Sequence, residues 1–151
     1  MAFDGILDCT DMSPSAGMLA CAKWGRLHPK VGGALVLPGT REALWVHITM
    51  PPPQADGDLC VSWDVDTSNF ELWGNVDVSE DGKVQGDLQR NVKFLLPAVQ
   101  RRIEDRRIGK GTSLLMVGKA PYWAYCLLLA RVCQAGCAKV MWSYRSQQLS
   151  F

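Results

Sequence analysis

Residues 110–145, KGTSLLMVGKAPYWAYCLLLARVCQAGCAKVMWSYR, decide the fold. Leu114 to Val117 is a short apolar run closed by Gly118, the length and pattern of a buried strand. Pro121 follows where a helix accepts proline as its first residue, because φ is preset and the missing amide has no intrahelical partner there. Tyr122 to Val132 is apolar nearly all round, Gly136 ends the helix, and Ala138 to Trp142 returns as a buried strand. The stretch predicts one βαβ unit. Its helix is apolar on more faces than one sheet covers, so part of it is expected to bury against another copy of the chain.

Working outward, Asn91 to Ile103 places Val92, Leu95, Leu96, Val99 and Ile103 at helical spacing, with Pro97 predicting a kink or a restart. Arg101, Arg102, Arg106 and Arg107 at its far end suit the negative pole of a helix. Before it, Leu59 to Asp66 and Phe70 to Val78 read as strands of period two, and Glu80-Asp81-Gly82 turns the chain into a third, Lys83 to Leu88. That section predicts a β-meander. Ala43 to Met50 alternates as a strand and must stop at Pro51-Pro52-Pro53, three residues without an amide donor. At the amino terminus, Ile6 to Thr10 reads as a strand, Ser13-Pro14 as the start of a helix to about Leu27, and Gly33 to Leu37 as a second strand. The expected fold class is α+β: a mainly antiparallel sheet with helices on one face and an extra amino-terminal βαβ segment. One domain is expected over 1–151, with 1–42 as an extension of a core at 43–151.

With 151 residues, 48% of them apolar, the chain buries the core of one ordinary domain. The longest uncharged apolar run, Ala120 to Ala130, falls short of the roughly 18 residues that span a bilayer. No membrane segment is expected, and an amino terminus with Asp4 and Asp8 but no basic region argues for a cytoplasmic protein. The six cysteines are read as reduced core thiols. Cys133 and Cys137 are four apart, yet no second pair and no neighbouring histidine completes a zinc set. Net charge is +1, hiding a split: residues 1–89 hold 5 basic and 13 acidic side chains (−8), and 90–151 hold 11 basic and 2 acidic (+9). Such asymmetry attracts anions to the second half and permits head-to-tail stacking of copies; pairing of the halves within one monomer is the competing reading.

Gly118, Lys119, Ala120, Pro121 and Tyr122 lie between a strand's carboxyl end and a helix's amino end, where free amides and the helix dipole favour an anion. A plain βα connection is the competing reading. Neither GxxxxGK[ST] nor GxGxxG is present, which counts against nucleoside triphosphate and dinucleotide sites. Tyr122 and Trp123 stand where aromatics either stack on bases or fill a core. Asp56, Asp58, Asp64 and Asp66 supply hard oxygen donors for Mg²⁺ or Mn²⁺, with Asp64 and Asp66 taken as the candidate pair.

A Lys-Gly apolar strand, then Gly118-Lys119-Ala120-Pro121-Tyr122-Trp123, an apolar helix and a strand ending at Arg145, resembles the Csx-three family. These are small ferredoxin-like proteins of type III CRISPR systems, ring nucleases that bind and degrade cyclic tetra-adenylate. The match covers about 110–145, under a quarter of the chain, and VGKAPYW is its most specific piece. The resemblance implies a ferredoxin-like sandwich and a cyclic oligoadenylate ligand held by Gly118 to Tyr122 and by Ser143, Tyr144 and Arg145 at the next strand's end. The family's helix carries a histidine and its following strand ends in Asp-Pro-Arg; here the helix has none and the strand ends Ser143-Tyr144-Arg145. Binding without hydrolysis, as a sensor or a degenerate ring nuclease, is the resulting expectation. If cleavage occurs, it is metal-dependent, and His47 is the candidate acid or base; a structural histidine is the competing reading. The alternative is an interaction protein that oligomerises and binds no nucleotide. General nucleic-acid binding through the Arg90 to Lys110 run is not expected, because overall charge is near neutral and no RNP-like motif occurs.

Overall fold

The computed structural model describes residues 6–27, 33–38, 43–49, 56–144 and 146–151. Among the described residues the chain runs through β1 (Ile6–Asp8), α1 (Pro14–Leu27), β2 (Gly33–Pro38), β3 (Ala43–Ile48), β4 (Cys60–Asp64), α2 (Phe70–Trp73), α3 (Leu88–Asp105), β5 (Ser113–Val117), α4 (Tyr122–Gln134), β6 (Lys139–Tyr144) and β7 (Gln147–Ser150). They form two mixed sheets, ordered β1-β2-β3 and β4-β5-β6-β7. The expected mainly antiparallel sheet is therefore corrected. β1 runs parallel to β2, and β4, β5 and β6 are mutually parallel, leaving only β2-β3 and β6-β7 antiparallel. Helical crossovers α3 and α4 return the chain to the same edge each time, and such connections place strands parallel.

In the second sheet Trp63, Met116 and Trp142 stand in register, as do Val61, Leu114 and Val140. These rows face the helices, and all but the half-buried Val61 are buried. The helix α4 has twelve of its thirteen residues buried within the single chain. It packs along α1 and reaches β2 on one side, and meets the second sheet on the other, where Tyr125 sets its edge against Trp142 at 5.2 Å. That corrects the expectation that α4 saves an apolar face for another copy: the amino-terminal segment covers it. The approach of α1 to α4 depends on glycine. A Cβ at Gly25 would lie 2.4 Å from the Ala130 carbonyl oxygen, and one at Gly17 1.8 Å from the Tyr122 hydroxyl.

Two expected strands are absent. Phe70 to Val78 opens instead as the helical turn α2, capped by Asn69, whose side chain accepts from the Glu71 amide. Consecutive Leu72 and Trp73 are both buried, which alternation forbids, and Trp73 Nε1 donates to the Val65 carbonyl at 3.0 Å. The expected turn at Glu80-Asp81-Gly82 is present, with Gly82 at φ 82°, but the hairpin keeps a single bridge, Val78 to Val84, and the strand Lys83 to Leu88 does not form. Downstream, α3 continues through Pro97, Gly136 at φ 101° closes α4 as expected, and Pro121 is the cap of α4, one position ahead of its first turn. β3, assigned to the core, pairs over six residues with β2, assigned to the extension, so the boundary expected at 42 falls inside one sheet. Among the described residues no helix is long and apolar enough to cross a membrane.

Candidate functional site

The carboxyl ends of the parallel strands converge on the loop Gly118 to Pro121. Backbone ladders run past the strands there: the Val65 amide donates to the Val117 carbonyl at 2.8 Å and the Thr67 amide to the Lys119 carbonyl at 3.0 Å. The Thr67 hydroxyl donates to the Gly82 carbonyl at 2.9 Å, tying the 78–84 hairpin to the same loop. Gly118 takes φ 109°, and a Cβ on it would lie 2.7 Å from the Asp66 amide nitrogen, so the residue type is required twice over.

Two amides of this loop, those of Lys119 and Ala120, already have partners. Asp66 Oδ2 accepts from the Lys119 amide at 2.9 Å, and Oδ1 from the Ser68 amide at 2.9 Å. The Tyr125 hydroxyl accepts from the Ala120 amide at 2.7 Å and donates to the Gly118 carbonyl at 2.6 Å. Pro121 has no amide to offer. The chain thus supplies its own carboxylate to the loop ahead of α4. Partial burial of Asp66 works to raise its pKa, but the Lys119 and Ser68 amides, the Ser68 hydroxyl and the Lys119 charge outweigh it and hold the carboxyl below its ordinary range. Burial pushes the Tyr125 phenol up, keeping it the neutral donor that the Gly118 carbonyl requires. Tyr125 lay outside the sequence expectations, where it read as one more apolar helix residue.

What the loop offers a ligand is its outer surface. Lys119, Ala120, Pro121 and Tyr122 line a cavity of about 380 Å³ with Pro38, Lys83, Val84, Leu88 and Trp123. Its walls are the ends of β2 and the hairpin, the start of α3 and the start of α4. Two ammonium groups reach it, although Asp81 sits 4.0 Å from Lys83 Nζ. Of the two aromatics, Tyr122 donates to the Ser13 carbonyl at 3.1 Å across Gly17, and Trp123 is buried with its edge 6.2 Å from Trp73. Both are spent on packing, and only their margins reach the cavity.

The other expected residues divide. Tyr144 joins the loop indirectly, through Trp142 at 6.5 Å and so to Tyr125. Ser143 pairs with Val117 and points with it away from the helices. Arg145 lies outside the described residues. Asp64 and Asp66 come together, but as turn formers: Asp64 Oδ1 accepts from the Asp66 amide at 3.0 Å. Asp56 and Asp58 are at the opposite end of β4, where Asp58 pairs with Arg107 at 3.1 Å. Among the described residues no group of three or more His, Cys, Asp or Glu is placed to hold a metal. His47 is exposed on the outer face of β3, stacked on Trp45 at 6.3 Å. It pairs with Ala34 whereas Pro38 of the cavity pairs with Ala43, so it is four residues along the strand, about 13 Å away. All six cysteines are free thiols and five are buried. Burial pushes Cys133 and Cys137 up to about 11, which keeps both protonated.

Comparison with protein-family models, with curated proteins and with solved structures returns no match.

Proposed function

We propose that this chain binds a cyclic oligoadenylate, cyclic tetra-adenylate in the first instance, as a sensor or sequestering protein of type III CRISPR immunity. The observation that carries the reading is that four consecutive residues, Lys119 to Tyr122, line one cavity with Lys83 facing them. The loop amides are engaged internally, so phosphates would meet lysine side chains, and an adenine would lie against Pro38, Val84, Leu88 and Pro121. At about 380 Å³ the cavity is near the small end of ligand sites, roughly 300–1,000 Å³. One unit of the ring would fill it, and a whole ring would be shared by two or more copies, in keeping with the expected homo-oligomer. The ferredoxin-like arrangement belongs to this reading.

Slow or absent hydrolysis follows from where the candidate groups sit. His47 is on another face, and Asp64 and Asp66 accept turn amides. If Mg²⁺ or Mn²⁺ binds, Asp64 and Asp66 would hold it and the ion would neutralise phosphate charge, but no third protein ligand stands beside them among the described residues. Without a positioned acid or base, a factor of about 10² to 10⁴ in rate is missing.

Calorimetry with cyclic tetra-adenylate, its linear counterpart and inorganic phosphate, each at two salt concentrations, tests the binding claim. Lys119→Ala and Lys83→Ala are each expected to weaken binding by about 1.5–3 kcal/mol, the range for hydrogen bonds to charged groups. Unchanged affinity in both would remove the ligand from this cavity. Rapid multiple-turnover conversion to linear product with Mn²⁺ would overturn the claim of binding without hydrolysis, and its abolition by His47→Ala would identify the base.

A second reading, a non-enzymatic oligomerising protein, draws on the outer face of the second sheet. There Cys60, Ser62, Leu115 and Met141 border a hollow of about 400 Å³ that no element of the described residues covers. Sedimentation of Met141→Glu distinguishes the two: loss of an oligomer with ligand binding intact separates assembly from recognition.

A further inference from the structure

A separate groove of about 410 Å³ runs between α2 and α3. Two features of it have no role in the core or in the cavity at Lys119. Phe70 is 81% exposed and Phe94 40% exposed, although Leu72, Trp73, Leu95 and Val92 beside them are buried. The Phe70 ring lies beside Gly74, where a Cβ would come within 3.1 Å of its ring carbons, so glycine makes room for it at the end of α2. The Arg90 guanidinium lies over the Phe94 ring, 5.3 Å from its centroid. Exposed aromatic rings beside cations offer a base a surface to stack on.

The groove's charge matches. Arg102 bridges its walls, bonded to Glu71 of α2 at 2.6 Å and to Asp105 at 3.2 Å, while Lys93 and Arg101 are exposed and make no ion pair among the described residues. They stand two turns apart on α3, about 12 Å along its axis, with Phe94 between them. Cations and exposed rings lining one groove are complementary to a polymer that presents a phosphate and a planar base in each unit. An acidic peptide would satisfy the cations and leave the rings unused.

We propose that the α2–α3 groove binds a single-stranded nucleic acid, with bases on Phe70 and Phe94 and phosphates on Lys93 and Arg101. This goes beyond the cyclic ligand at Lys119, and it departs from the sequence expectation of no general nucleic-acid binding.

Fluorescence anisotropy with a short labelled oligouridylate, at low and moderate salt, tests it. Phe70→Ala and Phe94→Ala are each expected to weaken binding roughly 5- to 150-fold, the range for one base on one aromatic ring. The double variant K93E/R101E is expected to reduce the log–log salt slope by about 1.4, two phosphate contacts on a single strand. Lys119→Ala is expected to leave oligouridylate affinity unchanged, so failure here and failure of the cyclic-ligand reading are distinguishable. These side chains are on the surface, and far-UV circular dichroism verifies that each variant folds. Absence of binding at low salt, full affinity in both phenylalanine variants, equal affinity for a duplex of the same length, or displacement by polyglutamate as readily as by unlabelled oligouridylate would overturn the proposal.

Discussion

At the scale of single residues, Asp66 and Tyr125 do what free backbone amides were expected to leave to a ligand. Asp66 is held below the usual carboxylate range despite partial burial, by the Lys119 and Ser68 amides, the Ser68 hydroxyl and the Lys119 charge. A carboxyl depressed in the folded state contributes stability that is complete above its unfolded value of about 3.9 and is lost as pH falls through the folded value. The stability advantage of the wild type over Asp66→Asn is therefore expected to be constant near neutrality and to shrink below about pH 4, read from urea midpoints across that interval; an advantage that grows on acidification would sink this account. Tyr125→Phe leaves the Ala120 amide and the Gly118 carbonyl without their partner. The expected loss is about 1–3 kcal/mol, the cost of an unsatisfied buried group, seen as a lower urea midpoint at unchanged slope. Asp66 stood out in the sequence only as a metal-ligand candidate, and Tyr125 not at all. An aspartate beside a turn reads as solvated and a tyrosine on an apolar helix as core, because the partner of each is a backbone group distant in sequence.

At the scale of elements, legibility followed whether a segment's pattern was set by its own neighbours. The strand, helix and strand within 110–145 were readable since α4 is apolar on every side and its ends carry Pro121 and Gly136. Phe70 to Val78 was misread because Trp73 is drawn inward to bond the Val65 carbonyl and to meet Trp123, contacts with no trace in a period-two count. β7 was missed for the opposite reason: QQLS carries little hydrophobic signal and exists as an edge strand on β6. The contact of α1 with α4 yields a direct prediction. Gly25→Ala places a methyl 2.4 Å from the Ala130 carbonyl oxygen and 2.9 Å from Cys133 Cβ, the first of which is backbone and cannot yield. Overpacking of this kind costs about 1–3 kcal/mol, against about 1 kcal/mol returned by alanine's helix propensity. The melting temperature is expected to fall; a rise would show that the helices are not in such close approach.

At the scale of the whole molecule, the described residues of 6–38 are part of one core with the rest. They supply β1, α1 and β2, and with them the cover of α4 and the partner of β3. Residues 43–151 alone are expected to lose cooperative unfolding, because a helix with twelve buried residues would face water along one side. Thermal melting of that fragment followed by circular dichroism checks this, and a sharp transition near that of the full chain would make 1–42 a true extension. The charge split between halves is also rearranged by folding. Some of it closes inside the chain, where Asp58 meets Arg107 and Glu71 meets Arg102.

The sequence by itself determined the βαβ unit within 113–144, the strands at 6–8, 33–37, 43–48 and 60–64, the helical spacing around Pro97, and the loop at 118–121 as a place where elements converge. Each of these depends on interactions within a few residues, which local pattern records. Only the tertiary structure decided that the strands divide into two mixed sheets, that α4 is covered from within, that the loop's amides are closed by Asp66 and Tyr125, and that Lys83 and Pro38 face Lys119 across a cavity. Those outcomes depend on which distant residues become neighbours, and hydrogen bonds and packing between such neighbours leave no period in the chain.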